Sequence, residues 1–325
     1  MSYEPVRWAI LSTAHINRLV IPPAQESPST DLVAVASRDQ QRAEEYAREW
    51  AIPRAYGTYE ALLDDPDVEA VYNPLPNSMH VEWSLRALEA GKHVLVEKPL
   101  TRRAADAEEL FDAADQRNLV VMEAFMYRHN PQTAKLVELV EGGSIGTLQN
   151  VRAAFGFSLY DDENVRLRSD VDGGALMDVG SYCVNSSRLL AGEPERVYGE
   201  QVVGPSGVDV RFHGTLRFPG GVVSQFDCGF RMPTRDELEA IGDEGSLFLD
   251  DPFHSRTPVI ELRRHDGTDR IELEPVDSYR LELDNMSDAI RGQGKPLLGR
   301  EDALGQARTI EALYRSAESA EPVRP

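Results

Sequence analysis

The chain has 325 residues, of which 41% are hydrophobic and 27% charged, a length that suits two globular domains better than one. Its formal net charge is −21, and such an acidic surface repels nucleic acids and anionic membranes, so neither is an expected partner. No apolar run reaches the roughly 20 residues that span a bilayer, which argues against a membrane protein.

The N-terminus and the rare residue types predict where the protein works. The first ten residues hold neither a basic region nor a cleavable apolar segment, so export is not expected. Cys183 and Cys228 are the only cysteines and form no framework, which predicts a cytoplasmic protein. The seven histidines are scattered without metal-ligand spacing, so no metal site is expected.

The first third of the chain alternates short apolar runs with helical patterns, which is typical of a parallel sheet with crossover helices. Thr58 is the predicted N-cap of the third helix, and Gly91 is predicted to end the fourth. The predicted strands span residues 6–11, 32–37, 68–73, 93–98 and 119–124, and the helices span residues 16–25, 40–50, 59–63, 79–90 and 103–117.

Beyond residue 124, short alternating strands and turn signals such as "PGG" and "DEG" predict a mostly antiparallel sheet. The predicted strands span residues 148–157, 196–203, 208–218, 221–230, 237–242, 245–250, 258–265 and 270–276, and the helices lie near residues 180–191, 279–291 and 301–317. The predicted fold class is α/β, with an N-terminal Rossmann parallel sheet in residues 1–124. A second α/β domain with a large, mostly antiparallel open sheet follows in residues 125–325, and its last helix is a candidate to pack back on the first domain.

The first turn, "LSTAHIN", lies where dinucleotide-binding folds carry the fingerprint G-x-G-x-x-G/A. Aligned on the strand, the three glycine positions fall on Ser12, Ala14 and Asn17. Small residues keep part of the close backbone approach, and the helix N-terminus offers N–H groups to pyrophosphate; the alternative is an ordinary strand–helix turn. The predicted cofactor contacts are Ser12, Thr13, Ala14, His15 and Ile16.

The second strand ends in Ser37 and Arg38, where NAD-binding folds carry an acidic residue for the ribose. A hydroxyl and a guanidinium suit a 2′-phosphate, so NADP is the predicted cofactor, with NAD still possible. Asp39 leaves the choice open, because it could instead cap the next helix. The alternative for Arg38 is a solvated surface arginine.

Glu97, Lys98 and Pro99 end another strand, at the edge where doubly wound sheets bind ligands. A lysine there can hydrogen-bond a substrate and lower the pKa of a neighbouring acid–base group; the alternative is a surface lysine. The loop "NPLPNSMH", stiffened by its prolines, is expected to lie over the cofactor. The cofactor contacts predicted in this region are Pro74, Leu75, Asn77, His80, Glu97 and Lys98.

The segment "GGALMDVGSYCVN" brings together Asp178, Tyr182 and Asn185, which share one face of a helix by their spacing. A tyrosine beside a lysine can exchange the proton in carbonyl–alcohol interconversion, because a cation lowers the phenol pKa from about 10. The alternative is a capping Asp178 and a core Tyr182.

The segments "VLVEKPL", "MEAFMYRHNPQ" and "GGALMDVGSYCVNSSRLLAGEPERV", in this order after a Rossmann-type start, resemble the Gfo/Idh/MocA oxidoreductases. The resemblance covers essentially the whole chain, and the G-x-Y and "EAFMYR" motifs are most similar to the NADP-dependent D-xylose dehydrogenase and dimeric dihydrodiol dehydrogenase subgroup. It implies a Rossmann domain followed by an α/β domain with an open sheet. The glycine-free phosphate turn departs from the family pattern.

The resemblance also implies roles. Lys98 of the E-K-P motif is catalytic or orienting, Tyr182 of the G-x-Y motif exchanges a proton, and Asp178 lines the substrate pocket. Glu123 is expected to contact the cofactor. Tyr127 and Arg128, with Asn185, are expected to contact the substrate; the alternative for Tyr127 is core packing.

These features predict an NADP-preferring oxidoreductase that moves hydride between nicotinamide and a secondary alcohol or hemiacetal carbon of a sugar, in the manner of D-xylose dehydrogenase. The alternatives are a trans-dihydrodiol dehydrogenase, a keto-sugar reductase, or a non-catalytic dinucleotide-binding regulator. Apolar alternation in the second sheet, and the pairing seen in related proteins, predict a homodimer or a tetramer built from it.

Overall fold

A computed structural model describes residues 4–161 and 163–325, which divide into two compact units. The first unit contains the chain up to Thr101, Ala105–Met126 and Asp277–Ala303. The second contains Arg102–Ala104, Tyr127–Val276 and the chain from Leu304. This division differs from the predicted one, because a segment late in the sequence returns to the first unit.

The described part of the first unit has a six-stranded parallel sheet in the order β3-β2-β1-β4-β5-β6. Its strands are β1 (Val6–Leu11), β2 (Thr30–Ala36), β3 (Arg54–Tyr56), β4 (Ala70–Asn73), β5 (His93–Glu97) and β6 (Val121–Ala124). Its helices are α1 (Asn17–Glu26), α2 (Gln40–Glu49), α3 (Tyr59–Leu63), α4 (His80–Glu89), α5 (Ala104–Arg117) and α8 (Ser278–Ile290). The sequence prediction missed β3, which is three residues long.

The local signals behave as the sequence predicts. The Thr58 hydroxyl accepts the Ala61 N–H at 3.1 Å and so caps α3. Gly91 ends α4 with φ of +76°, a conformation that favours glycine. The central strand β1 is buried on both faces, since the consecutive residues Ala9, Ile10 and Leu11 are at most 1% exposed.

Helix α8 completes the first unit. The Trp8 indole N–H donates to Ser287 Oγ at 3.2 Å, and the hydroxyls of Ser27 and Ser29 donate to Asp284. The sequence prediction gave this packing to the last helix, α9 (Arg300–Ser319), which lies mostly in the second unit. Both helices are amphipathic, and periodicity does not tell which core an apolar face joins.

In the second unit, the structure describes an eight-stranded sheet in the order β14-β13-β12-β11-β7-β10-β9-β8. Every neighbouring pair is antiparallel except β7 and β10. The strands are β7 (Leu148–Ser158), β8 (Arg196–Val203), β9 (Asp209–Arg217), β10 (Val223–Gly229), β11 (Arg231–Gly242), β12 (Ser246–Asp250), β13 (Val259–Arg264) and β14 (Gly267–Glu272). The predicted α/β class, with a parallel first sheet and a mostly antiparallel second one, is confirmed.

Helices α6 (Pro131–Glu141) and α7 (Ser181–Ala191) pack on this sheet, and α9 also contacts it, since the Gly199 N–H on β8 donates to Ser316 Oγ at 3.0 Å. The sequence prediction missed α6, although it carries a standard start signal. Asn130 accepts the Gln132 N–H at 2.9 Å, and Pro131 occupies the first helical position. No helix in the described chain is long and apolar enough to cross a membrane.

The two faces of the second sheet differ in polarity. Along β7, Val151 and Ala153 are buried, while Arg152 between them is exposed. Helix α7 covers the apolar face closely: a Cβ on Gly180 would lie 2.7 Å from Cys228 Sγ on β10. The opposite face presents charged side chains.

Candidate active site

The phosphate turn keeps a glycine-like backbone without a glycine. Ser12, at the first fingerprint position, has φ of +143°, a conformation that side chains rarely adopt. Two hydrogen bonds hold it: Ser12 Oγ accepts the Ala14 N–H at 3.2 Å, and Asn17 Nδ2 donates to Ser12 O at 2.9 Å. The buried Asn17 therefore stabilises the turn from the helix side, at the position where the fingerprint has its third small residue.

The other predicted turn residues, Thr13, Ala14, His15 and Ile16, line the path from β1 into α1 and are partly or fully exposed. Ile16 occupies the N-cap position, and in the described chain no side chain caps this helix. The N-terminus of α1 keeps the partial positive charge that favours an anion.

At the end of β2, Asp39 serves as a helix cap. Its carboxylate accepts the Arg42 N–H at 2.8 Å and so opens α2. Ser37 is buried, Arg38 is exposed, and Arg42 also reaches this edge. Burial raises the pKa of the Tyr59 phenol, whereas the charges of Arg38 and Arg42 lower it, which shows that both cations lie near this ring. The sequence prediction did not include Arg42.

The loop between β4 and α4 is fixed by buried polar groups. Asn73 Nδ2 donates to His80 O and to Ser84 Oγ, both at 3.1 Å, and Asn73 Oδ1 accepts the Leu75 N–H at 3.3 Å. These bonds hold the predicted contact residues Pro74 and Asn77 in one conformation. The sequence prediction missed Asn73, although a polar residue ending an apolar strand is a usable signal.

His80 pins two loops together. Its Nδ1 lies 2.9 Å from Pro99 O, and its Nε2 lies 2.7 Å from Leu75 O. Burial lowers the pKa of His80 to about 4, so the neutral ring donates to only one of these carbonyls at neutral pH. The ring is 1% exposed, and its two carbonyl contacts fix the loop that carries the predicted cofactor residues.

At the end of β5, Glu97 accepts two hydrogen bonds. The Tyr72 hydroxyl donates to Glu97 Oε1 at 2.5 Å, and the Lys98 N–H donates to Glu97 Oε2 at 3.2 Å. Burial and the Glu97 charge hold the pKa of Tyr72 far above its ordinary value, so this phenol stays a donor. The neighbouring Lys98–Pro99 peptide bond is cis.

Glu123, on β6, supports the same edge of the sheet. Its Oε1 accepts the Leu100 N–H at 2.7 Å, and the side chain is buried. Glu123 therefore ties β6 to the segment that follows Lys98. The first unit thus gathers the phosphate turn, Arg38, Lys98 and Glu123 at the carboxyl ends of parallel strands, where this architecture binds nucleotides.

In the second unit, Tyr182 lies among three aromatic rings. Its ring centroid is 5.8 Å from that of Tyr127, 5.4 Å from that of Phe155 and 5.2 Å from that of Phe253. We call these four residues the tyrosine cluster. Edge and tilted contacts of this kind fix ring orientation as well as burying apolar surface. Sequence reasoning missed Phe155 and Phe253, because their pairing with Tyr182 depends on strand register and on a loop far along the chain.

Asp178 precedes Tyr182 on a π-helical turn, Leu176–Gly180, which runs directly into α7. Its Oδ2 accepts a hydrogen bond from Arg166 Nε at 2.6 Å, and the carboxylate is partly exposed. π-Helical turns are rare and occur mostly at functional sites. Arg166 is a further site residue, which lies in a segment without regular periodicity and so gave no sequence signal.

The residues predicted to contact substrate bond to one another. Tyr127 Oη donates to Asn185 Oδ1 at 2.6 Å, and Arg128 Nη1 donates to the same oxygen at 3.0 Å. Asn185 has no exposed surface and Tyr127 is 1% exposed. Arg128 is partly exposed, and the predicted substrate contacts of these three residues stay predictions.

A histidine–aspartate pair lies beside the tyrosine cluster. His254 Nδ1 lies 2.6 Å from Asp236 Oδ2, and the imidazole centroid lies 5.5 Å from that of Phe155. Asp236, Asp251 and His254 are close enough in space to form a metal-ligand set. Arg256 Nε and Nη2 donate hydrogen bonds to Asp251 Oδ1, so this carboxylate is already paired with a guanidinium.

Comparison with known proteins agrees with this arrangement. Residues 6–125 match the oxidoreductase family with an NAD-binding Rossmann fold, and residues 133–248 match the GFO/IDH/MocA C-terminal domain. The chain is 38% identical to D-xylose 1-dehydrogenase (NADP(+)) 2 of Haloferax volcanii, over 96% of this chain and 97% of that protein. It is 35% identical to trans-1,2-dihydrobenzene-1,2-diol dehydrogenase of Bos taurus, over 80% and 78%.

The fold is also close to that of solved structures. A 3-ketoreductase from Actinomadura kijaniata, in complex with NADP and TDP-benzene, matches with a TM-score of 0.92 and 32% identity. The match covers 96% of this chain and 98% of that one. The similarity therefore extends through both units and includes the segments that carry Lys98 and Tyr182.

Proposed function

Because the chain belongs to the Gfo/Idh/MocA oxidoreductase family, we propose that it is an NADP-dependent sugar dehydrogenase acting on a secondary alcohol or hemiacetal carbon. The observation that carries the proposal is the placement of Tyr182, whose phenol is held by three aromatic rings directly after the π-helical turn that bears Asp178. The similarity to a D-xylose dehydrogenase favours an aldose as substrate.

The first unit suits NADP. Ser12 supplies the tight turn that a pyrophosphate needs, and Arg38 and Arg42 supply two cations at the end of β2. Asp39 caps α2 through Oδ1, so its carboxylate is held at the helix start. We therefore propose NADP as the preferred cofactor, with Arg38 at its 2′-phosphate.

The chemistry divides between cofactor and protein. Bound nicotinamide accepts or returns the hydride. Tyr182 takes the proton of the substrate hydroxyl during oxidation and returns it during reduction. Lys98 takes the orienting role that the family resemblance implies, and Asp178, held by Arg166, accepts a hydrogen bond from a substrate hydroxyl.

A keto-sugar reductase is the second candidate. The specific observation in its favour is the similarity of fold and length to the Actinomadura kijaniata 3-ketoreductase. Both directions use the same proton carrier, so the site does not separate them. A non-catalytic regulator is disfavoured by the presence of both Lys98 and Tyr182.

We further propose that the protein is a homodimer, or a tetramer built from it, through the charged face of the second sheet. This face has a hollow of about 540 Å³ lined by side chains of both signs, including Arg152, Asp227, Arg235 and Glu237. Arg235 already pairs with Asp227 at 2.8 Å. A surface with both charges can meet its own copy across a two-fold axis. A monomeric mass by light scattering at micromolar concentration would contradict this.

We also propose a cytoplasmic location, since Cys183 and Cys228 are free and buried, as in a reducing compartment.

One experiment tests the proposed activity directly. The purified protein is assayed with a panel of aldoses and a trans-dihydrodiol in the presence of NADP or NAD, and with a 3-keto sugar in the presence of NADPH or NADH. We expect the highest kcat/KM with an aldose and NADP. Highest efficiency on the keto sugar would favour the reductase. Tight NADP binding by calorimetry without turnover of any compound would favour a regulator and would overturn the proposal.

A further inference from the structure

A buried carboxylate lies at the start of the segment that carries the proposed catalytic residues. Asp209, at the beginning of β9, is 3% exposed. Its Oδ2 accepts the Leu176 N–H at 2.7 Å, and its Oδ1 accepts the Tyr314 hydroxyl at 2.9 Å. Leu176 is the first residue of the π-helical turn that bears Asp178, and this turn continues into α7 with Tyr182. The carboxylate thus holds the entry to the catalytic segment.

The second glycine of the "GG" motif, Gly174, makes room for this contact. Gly174 has φ of +132°, and a Cβ there would lie 2.3 Å from Asp209 Oδ1 and 3.1 Å from Tyr314 Oη. Any side chain at this position would displace the carboxylate from Leu176. The second glycine is therefore explained by the close approach of Asp209 to the backbone.

Tyr314, on α9, is itself fixed. The guanidinium of Arg102 lies 3.8 Å from its ring centroid, and the ring of Phe212 meets it edge-on at 5.7 Å. The Tyr314 side chain is therefore already ordered, and its hydroxyl is held within reach of Asp209. Three separate parts of the second unit, namely β9, α9 and the segment around Arg102, converge on one backbone N–H.

We propose that Asp209 and Tyr314 are positioning residues, a clamp that sets the start of the Leu176–Gly180 turn and thereby the placement of Asp178 and Tyr182 for turnover. The proposal rests on the proposed function of Tyr182. The clamp reaches the catalytic segment through the Leu176 N–H, which donates to Asp209. It acts through the helix, and a displacement of about 1 Å at a reacting group can cost 10²-fold in rate.

Three variants measure how much the hydrogen bonds of Asp209 contribute to kcat. Asp209→Ala removes both hydrogen bonds, and we expect kcat to fall by about 10²-fold with the KM for NADP unchanged. Tyr314→Phe removes one bond but keeps the ring under Arg102, and a loss of about 3-fold to 10-fold is expected. Asp209→Asn keeps an acceptor for Leu176 and an amide donor for Tyr314, so it should recover most of the activity that Asp209→Ala loses.

A matched control removes a different buried hydrogen bond of the same helix. The hydroxyls of Ser187, on α7, and Ser224, on β10, lie 2.7 Å apart. Ser224→Ala breaks this contact in the middle of α7 and leaves the Leu176 end intact. We expect its kcat to stay within about twofold of the parent even if its melting temperature falls, because the catalytic segment keeps its anchor.

A double-mutant cycle separates positioning from general stability. If Asp209 acts through Tyr182, Asp209→Ala should cost less than about twofold in kcat when Tyr182 is already Phe. Equal losses in both backgrounds, or losses that follow melting temperature across all variants including Ser224→Ala, would overturn the clamp.

Hydrogen exchange gives a readout independent of catalysis. Asp209→Ala should speed amide exchange by at least tenfold in residues 176–182 and leave β10 protected. Uniform deprotection of the second unit, or no change in residues 176–182, would overturn the proposal. If Tyr182→Phe keeps full turnover, the proposed function of Tyr182 fails by itself, and the clamp stands or falls on the exchange result and on the kcat of Asp209→Ala.

Discussion

The phosphate turn and the tyrosine cluster solve the same problem, holding reactive geometry, by opposite means. The turn is exposed and held by backbone conformation, with Ser12 at φ of +143° and Asn17 bonding back to it. The cluster is buried and held by side chains from the turn Met126–His129, β7, α7 and the loop after β12, with ring distances between 5.2 and 5.8 Å. The comparison teaches that a site built on backbone leaves a local sequence motif, whereas a site built on packing does not.

The largest expected effect tests the packed region. Tyr182→Phe keeps the ring and its aromatic contacts but removes the proton carrier, so kcat should fall by roughly 10²–10⁴-fold. The KM for NADP should barely change, because the phosphate turn is untouched. Steady-state kinetics with the best aldose measures both quantities.

The matched control for this change lies in the same cluster. Tyr127→Phe also removes one phenolic oxygen, the one that donates to Asn185, and should cost less than about tenfold in kcat. Similar losses in the two variants would mean that ring placement, not proton exchange, sets the rate. Lys98→Met should also lower kcat, and adding it to Tyr182→Phe should cost little more if the two residues act as a unit.

The next effect concerns the stability cost of burying the Asp209 carboxylate. Burial raises the pKa of Asp209 from an ordinary value of 3.8 to about 6, whereas hydrogen bonds from Leu176 and Tyr314 partly oppose the shift. As pH rises from about 4 to 6, the unfolded chain releases this proton before the native state does, so native stability falls over that window.

Asp209→Asn removes this dependence. The free energy of unfolding of the variant, minus that of the parent, should therefore rise by about 3 kcal/mol from pH 4 to pH 7. Urea unfolding of both proteins at the two pH values measures the difference, which cancels other titrating groups. A difference that does not change with pH would show that Asp209 is charged in both states over this range.

A smaller effect tests the exposed region. Arg38→Ala should raise the KM for NADP by about tenfold to 30-fold, because a charge-assisted contact to phosphate is worth about 1.5–3 kcal/mol and neighbouring Arg42 retains part of the field. The KM for NAD should not change. Equal rises for both cofactors would contradict a 2′-phosphate contact, and Arg42→Ala should show the same selectivity with a smaller rise.

The smallest effect isolates backbone strain in the phosphate turn. Both Ser12→Ala and Ser12→Gly lose the hydroxyl that accepts the Ala14 N–H, but only glycine adopts φ of +143° readily. The glycine variant should therefore be more stable than the alanine variant by about 1 kcal/mol, which the shift in urea midpoint measures. Equal midpoints would mean that the turn relaxes and stores no strain.

The sequence predicted most of the first unit because its signals are local. Strand–helix alternation, the Thr58 cap and the placement of the phosphate turn all lie within a few residues of one another. It also predicted the second sheet, since its strands alternate and are separated by glycine turns. The short strand β3 and helix α6 escaped, the first because three residues show no period and the second because its cap signal was passed over.

The site residues divide in the same way. Lys98, Asp178 and Tyr182 stand in contiguous motifs, so the sequence could nominate them, whereas Phe155, Phe253 and Asp209 reach the tyrosine segment only through the fold of the second unit. Asn185 shows the limit of helical spacing as a guide. The spacing placed it on a face with Tyr182, but no property of one sequence indicates that Tyr127 and Arg128 would take its carbonyl oxygen.

The π-helical turn has a consequence for how this protein can change over evolutionary time. Its i to i+5 hydrogen bonds accommodate one residue more than an α-helical turn would. Loss of the codon for Val179 or Gly180 would shorten the turn to α-helix and rotate Asp178 by about 100° relative to Tyr182, because each helical residue advances that angle. Point substitutions leave this angle in place. The number of residues in this turn thus sets the direction of the Asp178 carboxylate, and insertions or deletions, not substitutions, are the mutations that would change it.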